Sequence, residues 1–298
     1  MRNLLPLLAL TITAAFCASG VQAQTLDKIR KDGAITIGHR DASIPFSYLD
    51  DKQQPIGYSM DICMKIADAV KAELKMPNLK VNLNPVTSAT RIPLMANGTI
   101  DLECGSTTNN LDRQKQVAFA PTTFITANRL AAKKSSNITK LDDMKGKAIV
   151  STSGTTNIRQ ITELNGSRNL GMNIMPGKDH AESFLIMETG RAVAFAMDDI
   201  LLFSLIASSK TPADFMVANE SLSVEPYGIM LRKDDPAFKT VVDTAVSNLM
   251  KSGELEKIYN KWFMAAIPPK GINLNTPMSA ALKKVFAAPT DSGDPARY

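Results

Sequence analysis

The sequence predicts an α/β fold in two lobes, each a mostly parallel sheet flanked by helices, and three observations carry the expectation. Short apolar, β-branched runs alternate with amphipathic helical patterns, the rhythm of parallel sheets covered by helices. Setting aside an amino-terminal leader of 23 residues leaves 275 of the 298, a length that divides naturally into two domains. Loops rich in Ser, Thr and Gly fall at the strand-to-helix junctions, where open α/β sheets bind their ligands.

The leader comes first in the chain. Arg2 is followed by an apolar-rich run from Leu4 to Cys17 and then by Ala18-Ser19-Gly20-Val21-Gln22-Ala23. A single positive charge, an apolar stretch and small residues at positions suited to cleavage after Ala23 make a secretory signal peptide. The run is too short to span a bilayer, so a soluble, exported product is expected. A lipid anchor on Cys17 is disfavoured because the bulky Phe16 precedes it.

The strands are then expected at Ile35–Gly38, Val81–Val86, Thr99–Cys104, Leu130–Ala132, Ala148–Ser151, Asn173–Met175 and Val193–Met197, with amphipathic helices over Ser59–Leu74, Ala89–Asn97 and Ala181–Glu188. The chain is expected to cross between lobes near Phe124–Asn128 and again near Leu222–Gly228, where Pro226 and Gly228 interrupt the pattern. A short helix is expected at Met278–Phe286, and disorder over Pro289–Tyr298.

The junction loops are Thr87-Ser88, Gly105-Ser106-Thr107-Thr108 and Ser153-Gly154-Thr155-Thr156. Each leads into a helix whose first N–H groups have no partner within the helix, so each could present donors to an anion. The plainer explanation for any one of them is N-capping, which Ser and Thr perform anyway.

Composition excludes several functions. Lysines and arginines exceed acidic residues by five, or four once Arg2 is removed with the leader, which favours an anionic partner mildly. The basic residues are interspersed with acidic ones and aromatics make up 6%, so no nucleic-acid surface is expected. His39 and His180 are the only histidines, which excludes a multi-histidine metal site, and no cofactor is indicated. No Gly-x-Ser-x-Gly elbow marks a hydrolase. Cys63 and Cys104 remain after cleavage; export permits a bridge, but two buried thiols are the commoner arrangement.

A set of ordered segments resembles the glutamate/aspartate-binding proteins of bacterial ABC importers. They include Gly38-His39-Arg40-Asp41 with Pro45-Phe46-Ser47-Tyr48, Glu103-Cys104-Gly105-Ser106-Thr107-Thr108-Asn109-Asn110, Ser153-Gly154-Thr155-Thr156 and Lys178-Asp179-His180. Gly190-Arg191-Ala192-Val193-Ala194-Phe195, Met197-Asp198-Asp199, Leu231-Arg232-Lys233-Asp234-Asp235-Pro236 and Ile267-Pro268-Pro269-Lys270 continue the likeness over nearly the whole mature chain. The resemblance implies a type II periplasmic binding fold, with lobe one formed by residues 24–125 and 226–275, lobe two by 126–225, and a carboxyl-terminal extension over 276–298. It also implies a monomeric periplasmic receptor that closes on L-glutamate or L-aspartate, docks on an ABC transporter permease and performs no chemistry.

Such a ligand brings two carboxylates and one ammonium into a cleft, and each must be paired because unpaired buried charge is costly. Arginine suits a carboxylate through its planar fork and permanent charge, making Arg40, Arg91 and Arg113 the candidates. By resemblance, Thr108 and Arg113 hold the α-carboxylate from lobe one and Thr156 closes on it from lobe two. Asp198, at the end of a strand, is the acidic candidate for the ammonium together with the Ser106 carbonyl; Asp199 competes on position, and the family pattern favours Asp198. Arg40, Ser88, Arg91 and His180 are left for the distal carboxylate. Three arginines against one acidic residue and a histidine describe a cleft with charge to spare for two carboxylates. The alternatives are a periplasmic enzyme on this fold, dehydratase-like, using His180 or a cleft carboxylate for acid–base work, and a sensory ligand-binding domain.

Overall fold

A computed structural model describes residues 24–298, so the signal peptide read over residues 1–23 lies outside the described residues. Two five-stranded sheets organise the two lobes. The first has the spatial order Lys80–Pro85, Ala34–His39, Leu102–Glu103, Met230–Arg232, Val117–Phe119. The second has the order Asn173–Gly177, Ala148–Thr152, Ala194–Asp198, Asn128–Lys133, Phe215–Val217. In both, the fourth strand alone runs against the other four.

The reversed strand has a physical cause. Phe124–Thr126 and Glu225–Tyr227 pair antiparallel as a two-stranded ribbon between the sheets. The first leads into Asn128–Lys133 and the second into Met230–Arg232, the reversed strand of each sheet. A chain arriving from the opposite lobe enters at the cleft, where the parallel strands end, and can only run back against them.

The helix Tyr58–Leu74 covers the first sheet because Ile62, Ile66 and Val70 recur at four-residue spacing with Cys63 and Ala67 beside them, all buried. It packs on Pro236–Lys251 and Glu254–Phe263. Between them lies an aromatic cluster of Phe46, Tyr58, Phe124, Tyr227, Tyr259 and Phe263, mostly edge-on or stacked, with Phe124 and Phe263 at 4.8 Å. Phe124 and Tyr227 belong to the ribbon, so the crossing strands are anchored in lobe one's core.

Two expectations are corrected. Cys63 and Cys104 are bridged, with Cα atoms 6.2 Å apart, instead of remaining two buried thiols. Helix Tyr58–Leu74 lays Cys63 against the end of the strand Leu102–Glu103, a proximity that spacing along the chain does not reveal. Closing that loop removes about 4 kcal/mol of unfolded-state entropy by the chain-entropy argument.

Pro289–Tyr298, expected to be disordered, is seated on lobe one. The Thr122 N–H donates to the Thr290 carbonyl at 2.8 Å. Asn109 Nδ2 and Gln114 Nε2 donate to the Asp291 carbonyl at 2.8 and 2.9 Å, and Lys239 pairs with the Asp291 carboxylate at 2.7 Å. The tail's polar composition suggested solvation, but its carbonyls find donors on folded side chains. Ahead of it, the helix Ala280–Ala287 packs on Pro236–Lys251.

Candidate functional site

The carboxyl ends of the parallel strands in both sheets meet at one cleft, which is closed. Gly154, at φ 75°, sits against lobe one so tightly that an added Cβ would lie 2.5 Å from the Ala89 Cα. Arg113 Nη2 donates to the Gly154 carbonyl at 3.4 Å, and the Thr108 and Thr156 hydroxyls are 3.5 Å apart. Near the surface Arg159 pairs with Asp112 at 2.9 Å.

Helix caps resolve much of the ambiguity between capping and ligand contact, because other side chains do the capping. Thr155 caps the helix Thr156–Ser167, accepting from Ile158 N, which frees Thr156. Asn110 caps Leu111–Gln114 by accepting from Arg113 N, and Asp179 caps His180–Glu188 by accepting from Glu182 N. Asp198 stands at the cap position of Asp199–Ser208 yet makes no capping bond. Its carboxylate instead accepts from Asn157 Nδ2 at 2.7 Å and from the Tyr227 hydroxyl. Asp199 turns elsewhere, to the Thr126 hydroxyl at 2.6 Å and to Arg129.

One group of candidates gathers around Arg40 and Arg91, each 2% exposed. Arg40 follows the strand Ala34–His39, and its Nη2 donates to Ser88 Oγ at 2.7 Å. Arg91 opens the helix Arg91–Ala96 and donates through Nη1 to Thr107 Oγ1 at 2.7 Å and to the Ser106 carbonyl at 3.5 Å. Arg40 Nη1, Arg91 Nε and Ser106 Oγ are buried without a partner among the described residues. His180 brings its ring from lobe two, with Nδ1 2.9 Å from Thr152 Oγ1. A groove of about 490 Å³ leads to Arg40 between Thr87, Thr90 and Leu94 on one side and Lys178 and Asp179 on the other.

The electrostatics of this group are those of crowded cations. Burial first, and the Arg91 charge second, lower the Arg40 guanidinium to about 10, against the opposing carboxylates of Glu103 and Asp179. Burial lowers Arg91 as well, with Glu103 opposing. Burial, then Arg40 and Arg91, hold the His180 imidazole well below its ordinary value, so the ring is neutral at neutral pH.

The second group straddles the lobes. Arg113 Nη1 donates to the Thr108 carbonyl at 2.7 Å, and a bridge between Thr108 and Tyr227 ties that loop to the ribbon. Burial, then the Arg91 charge, lower Arg113 to about 9, opposed by Glu225, Glu103 and Asp198. Asp198 is pushed up to about 7 by burial and then by Glu225, against the hydrogen bonds from Tyr227 and Asn157.

The structure thus brings Arg40, Ser88, Arg91, Ser106, Thr108, Arg113, Thr156, His180 and Asp198 to one cleft. It also corrects the charge count of three arginines against one acidic residue. Glu103 and Glu225 are buried in the same place, Glu103 holding Thr107 Oγ1 at 2.5 Å and Glu225 accepting from Thr156 Oγ1 at 2.9 Å. A signal for Glu103 was present in the sequence: it closes an apolar strand as Asp198 does in the other lobe. Glu225, Tyr227 and Asn157 carry no such signal, because only the pairing of the ribbon and the closure of the cleft bring them in. Among the described residues no group of three or more His, Cys, Asp or Glu could hold a metal ion.

The comparisons with known proteins agree with this architecture. Residues 35–265 match the family described as bacterial extracellular solute-binding proteins, family 3. The chain is 54% identical over 296 residues to an L-glutamate/L-aspartate-binding protein of Pseudomonas aeruginosa, covering 98% of each. It is 46% identical over 289 residues to the glutamate/aspartate import solute-binding protein of Escherichia coli, covering 96% of each. Among solved structures, an ancestral arginine-binding protein bound to arginine aligns with a TM-score of 0.70 at 26% identity, over 78% of this chain and 98% of that one. An ancestral amino acid-binding protein, a precursor of cyclohexadienyl dehydratase, aligns with a TM-score of 0.66 at 27% identity, over 80% of this chain and 99% of that one. The two buried arginines at strand and helix ends, the closed cleft and a match spanning both sheets lead to one conclusion: the chain belongs to family 3 of the bacterial extracellular solute-binding proteins.

Proposed function

We propose that the protein captures L-glutamate or L-aspartate in the periplasm and delivers it, as a monomer, to the permease of an ABC importer. The working units are the discontinuous lobe 24–125 with 226–275 and the inserted lobe 126–225. The observation that carries the reading is the pair of buried guanidiniums, Arg40 and Arg91, with Nη1 and Nε left without acceptors. Such donors call for an anion, and a side-chain carboxylate bonded by Arg40, Ser88, Arg91 and His180 supplies it. Thr108, Arg113 and Thr156 hold the α-carboxylate from both lobes, and Asp198 with the Ser106 carbonyl takes the α-ammonium. The names of the relatives at 54% and 46% identity support the same ligands.

Closure follows from the same contacts. An α-carboxylate bonded by Arg113 and by Thr156 favours the conformation in which Gly154 abuts Ala89, so binding energy shifts the lobes toward the closed form. Calorimetric titration with an amino-acid panel tests the proposal: glutamate and aspartate bind tightly and glutamine far more weakly, since an amide leaves a buried guanidinium uncompensated. Tighter binding of glutamine or arginine than of either acidic amino acid would sink it. The enzyme alternative is tested by recovering the ligand after prolonged incubation, and unchanged ligand is the expected result.

A further inference from the structure

The middle strand of each sheet ends in a buried carboxylate at the cleft: Asp198 in the second sheet and Glu103 in the first. The proposed function uses Asp198 and leaves Glu103 without a role. Glu103 is 0% exposed and is held by the Thr107 hydroxyl, which itself accepts from Arg91 Nη1 at 2.7 Å. Its other oxygen, Oε1, has no partner among the described residues, and an added Cβ on Gly105 would come within 2.4 Å of it. Glu103 opposes the charges of both Arg40 and Arg91.

We infer that Glu103 sets the charge selectivity of the distal pocket, cancelling one of its two guanidiniums so that a singly charged side-chain anion is matched and a doubly charged one is rejected. The inference rests on the proposed placement of the ligand's distal carboxylate at Arg40 and Arg91. His180 adds no charge while neutral, and Asp179, the remaining carboxylate near Arg40, is half-exposed and occupied with its helix cap. The pocket therefore presents one net positive charge. A monoanion brings the sum to zero, whereas a dianion leaves one negative charge buried, the costly outcome in a site without water. Gly105 belongs to the same device, because its lack of a side chain is what leaves room for the carboxylate between the loop and Arg40. Glu103 acts here as a positioning residue for charge and needs no contact with the ligand.

The test uses two glutamate analogues of like shape and unlike charge, with a tetrahedral sulfonate or phosphonate in place of the side-chain carboxylate. The sulfonate stays singly charged, while the phosphonate, whose second ionisation lies above the value of about 6 of a phosphate monoester, gains its second negative charge as pH rises to about 8.5. At the upper pH the parent protein is expected to bind the sulfonate more tightly by about tenfold or more, and Glu103→Gln is expected to shrink that gap by a similar factor. Glu103→Asp, which keeps the charge, retains the gap even if both affinities fall. An undiminished gap in a folded Glu103→Gln protein overturns the inference and makes Glu103 a merely structural residue. Should Glu103→Gln not fold, the parent alone decides: the phosphonate must lose affinity relative to the sulfonate as pH rises, and no relative loss overturns the inference. Failure of the parent to bind glutamate or aspartate at all would instead overturn the proposed function, so the two failures are distinct.

Discussion

The two ends of the cleft are built on opposite principles. Around Arg40 and Arg91 the hydrogen bonds run within lobe one, and His180, Lys178 and Asp179 approach from across the cleft. Around Arg113, which is also held by the Thr108 carbonyl of its own lobe, bonds and close approaches run between lobes, to Gly154 and from Thr108 to Thr156, and the ribbon supplies Glu225 and Tyr227. Under the proposed ligand placement, the first end would recognise a side chain mostly with groups already held within one lobe. The second exists as a unit only when the lobes meet, so selectivity and closure are separable properties of the site.

The largest effect that tests this division is expected at the first end. Arg91→Met should cost glutamate binding about 2 to 5 kcal/mol in titration calorimetry, since it removes one member of a buried charge pair. Its melting temperature should fall far less than that loss would imply, because the parent guanidinium bears a desolvation penalty in the empty cleft. Equal affinity in mutant and parent would place Arg91 outside the recognition end.

Next comes the disulfide. Replacing Cys63 and Cys104 together by alanine should lower the unfolding free energy by about 2 to 4 kcal/mol in denaturant titration. The effect should spread to both ends of the cleft, because the bridge anchors the strand that leads into Gly105–Thr108. An affinity change confined to glutamate and absent for aspartate would contradict that.

Thr156→Val should cost about 1 kcal/mol, the ordinary worth of one hydrogen bond, and should weaken glutamate and aspartate by the same factor. Small-angle scattering of the liganded variant should show a larger open population than the parent. A change in the glutamate-to-aspartate ratio would mean that the two ends are not independent.

The most gradual effect, spread over several pH units, is the pH dependence of Asp198. Its carboxyl is raised in the folded protein to about 7, so the ligand-free folded state binds a proton that the unfolded state has lost between about pH 4 and that value. Stability of the ligand-free protein therefore falls as pH rises through that window, and Asp198→Asn should remove this slope. An ammonium favours the ionised form, so ligand binding should release a proton below about pH 7 and weaken by at most about tenfold per unit as pH falls further. Calorimetry in buffers of different ionisation enthalpy measures that proton directly.

The reading of the sequence found the α/β rhythm because apolar periodicity is written locally: Ile62, Ile66 and Val70 face inward whatever surrounds them. It placed Arg40, Arg91 and Asp198 at strand and helix ends because these are legible as junctions, and a resemblance assigned them roles. It did not find Glu225, Tyr227 or Asn157, whose relation to Asp198 and Thr156 exists only across the closed cleft. It misjudged Cys63 with Cys104 and the tail from Pro289 for the same reason, since each depends on a partner distant in sequence.

The sequence by itself therefore determined the elements, the junction loops and the arginines that call for an anion, because these follow from spacing and residue type. Only the tertiary structure decided how the charges balance. The carboxylates of Glu103 and Asp198 end the middle strands of separate sheets, and Glu225 arrives on a crossing strand. Their effect on Arg40, Arg91 and Arg113 depends on distance and exclusion of water, which exist only once the lobes are folded and closed.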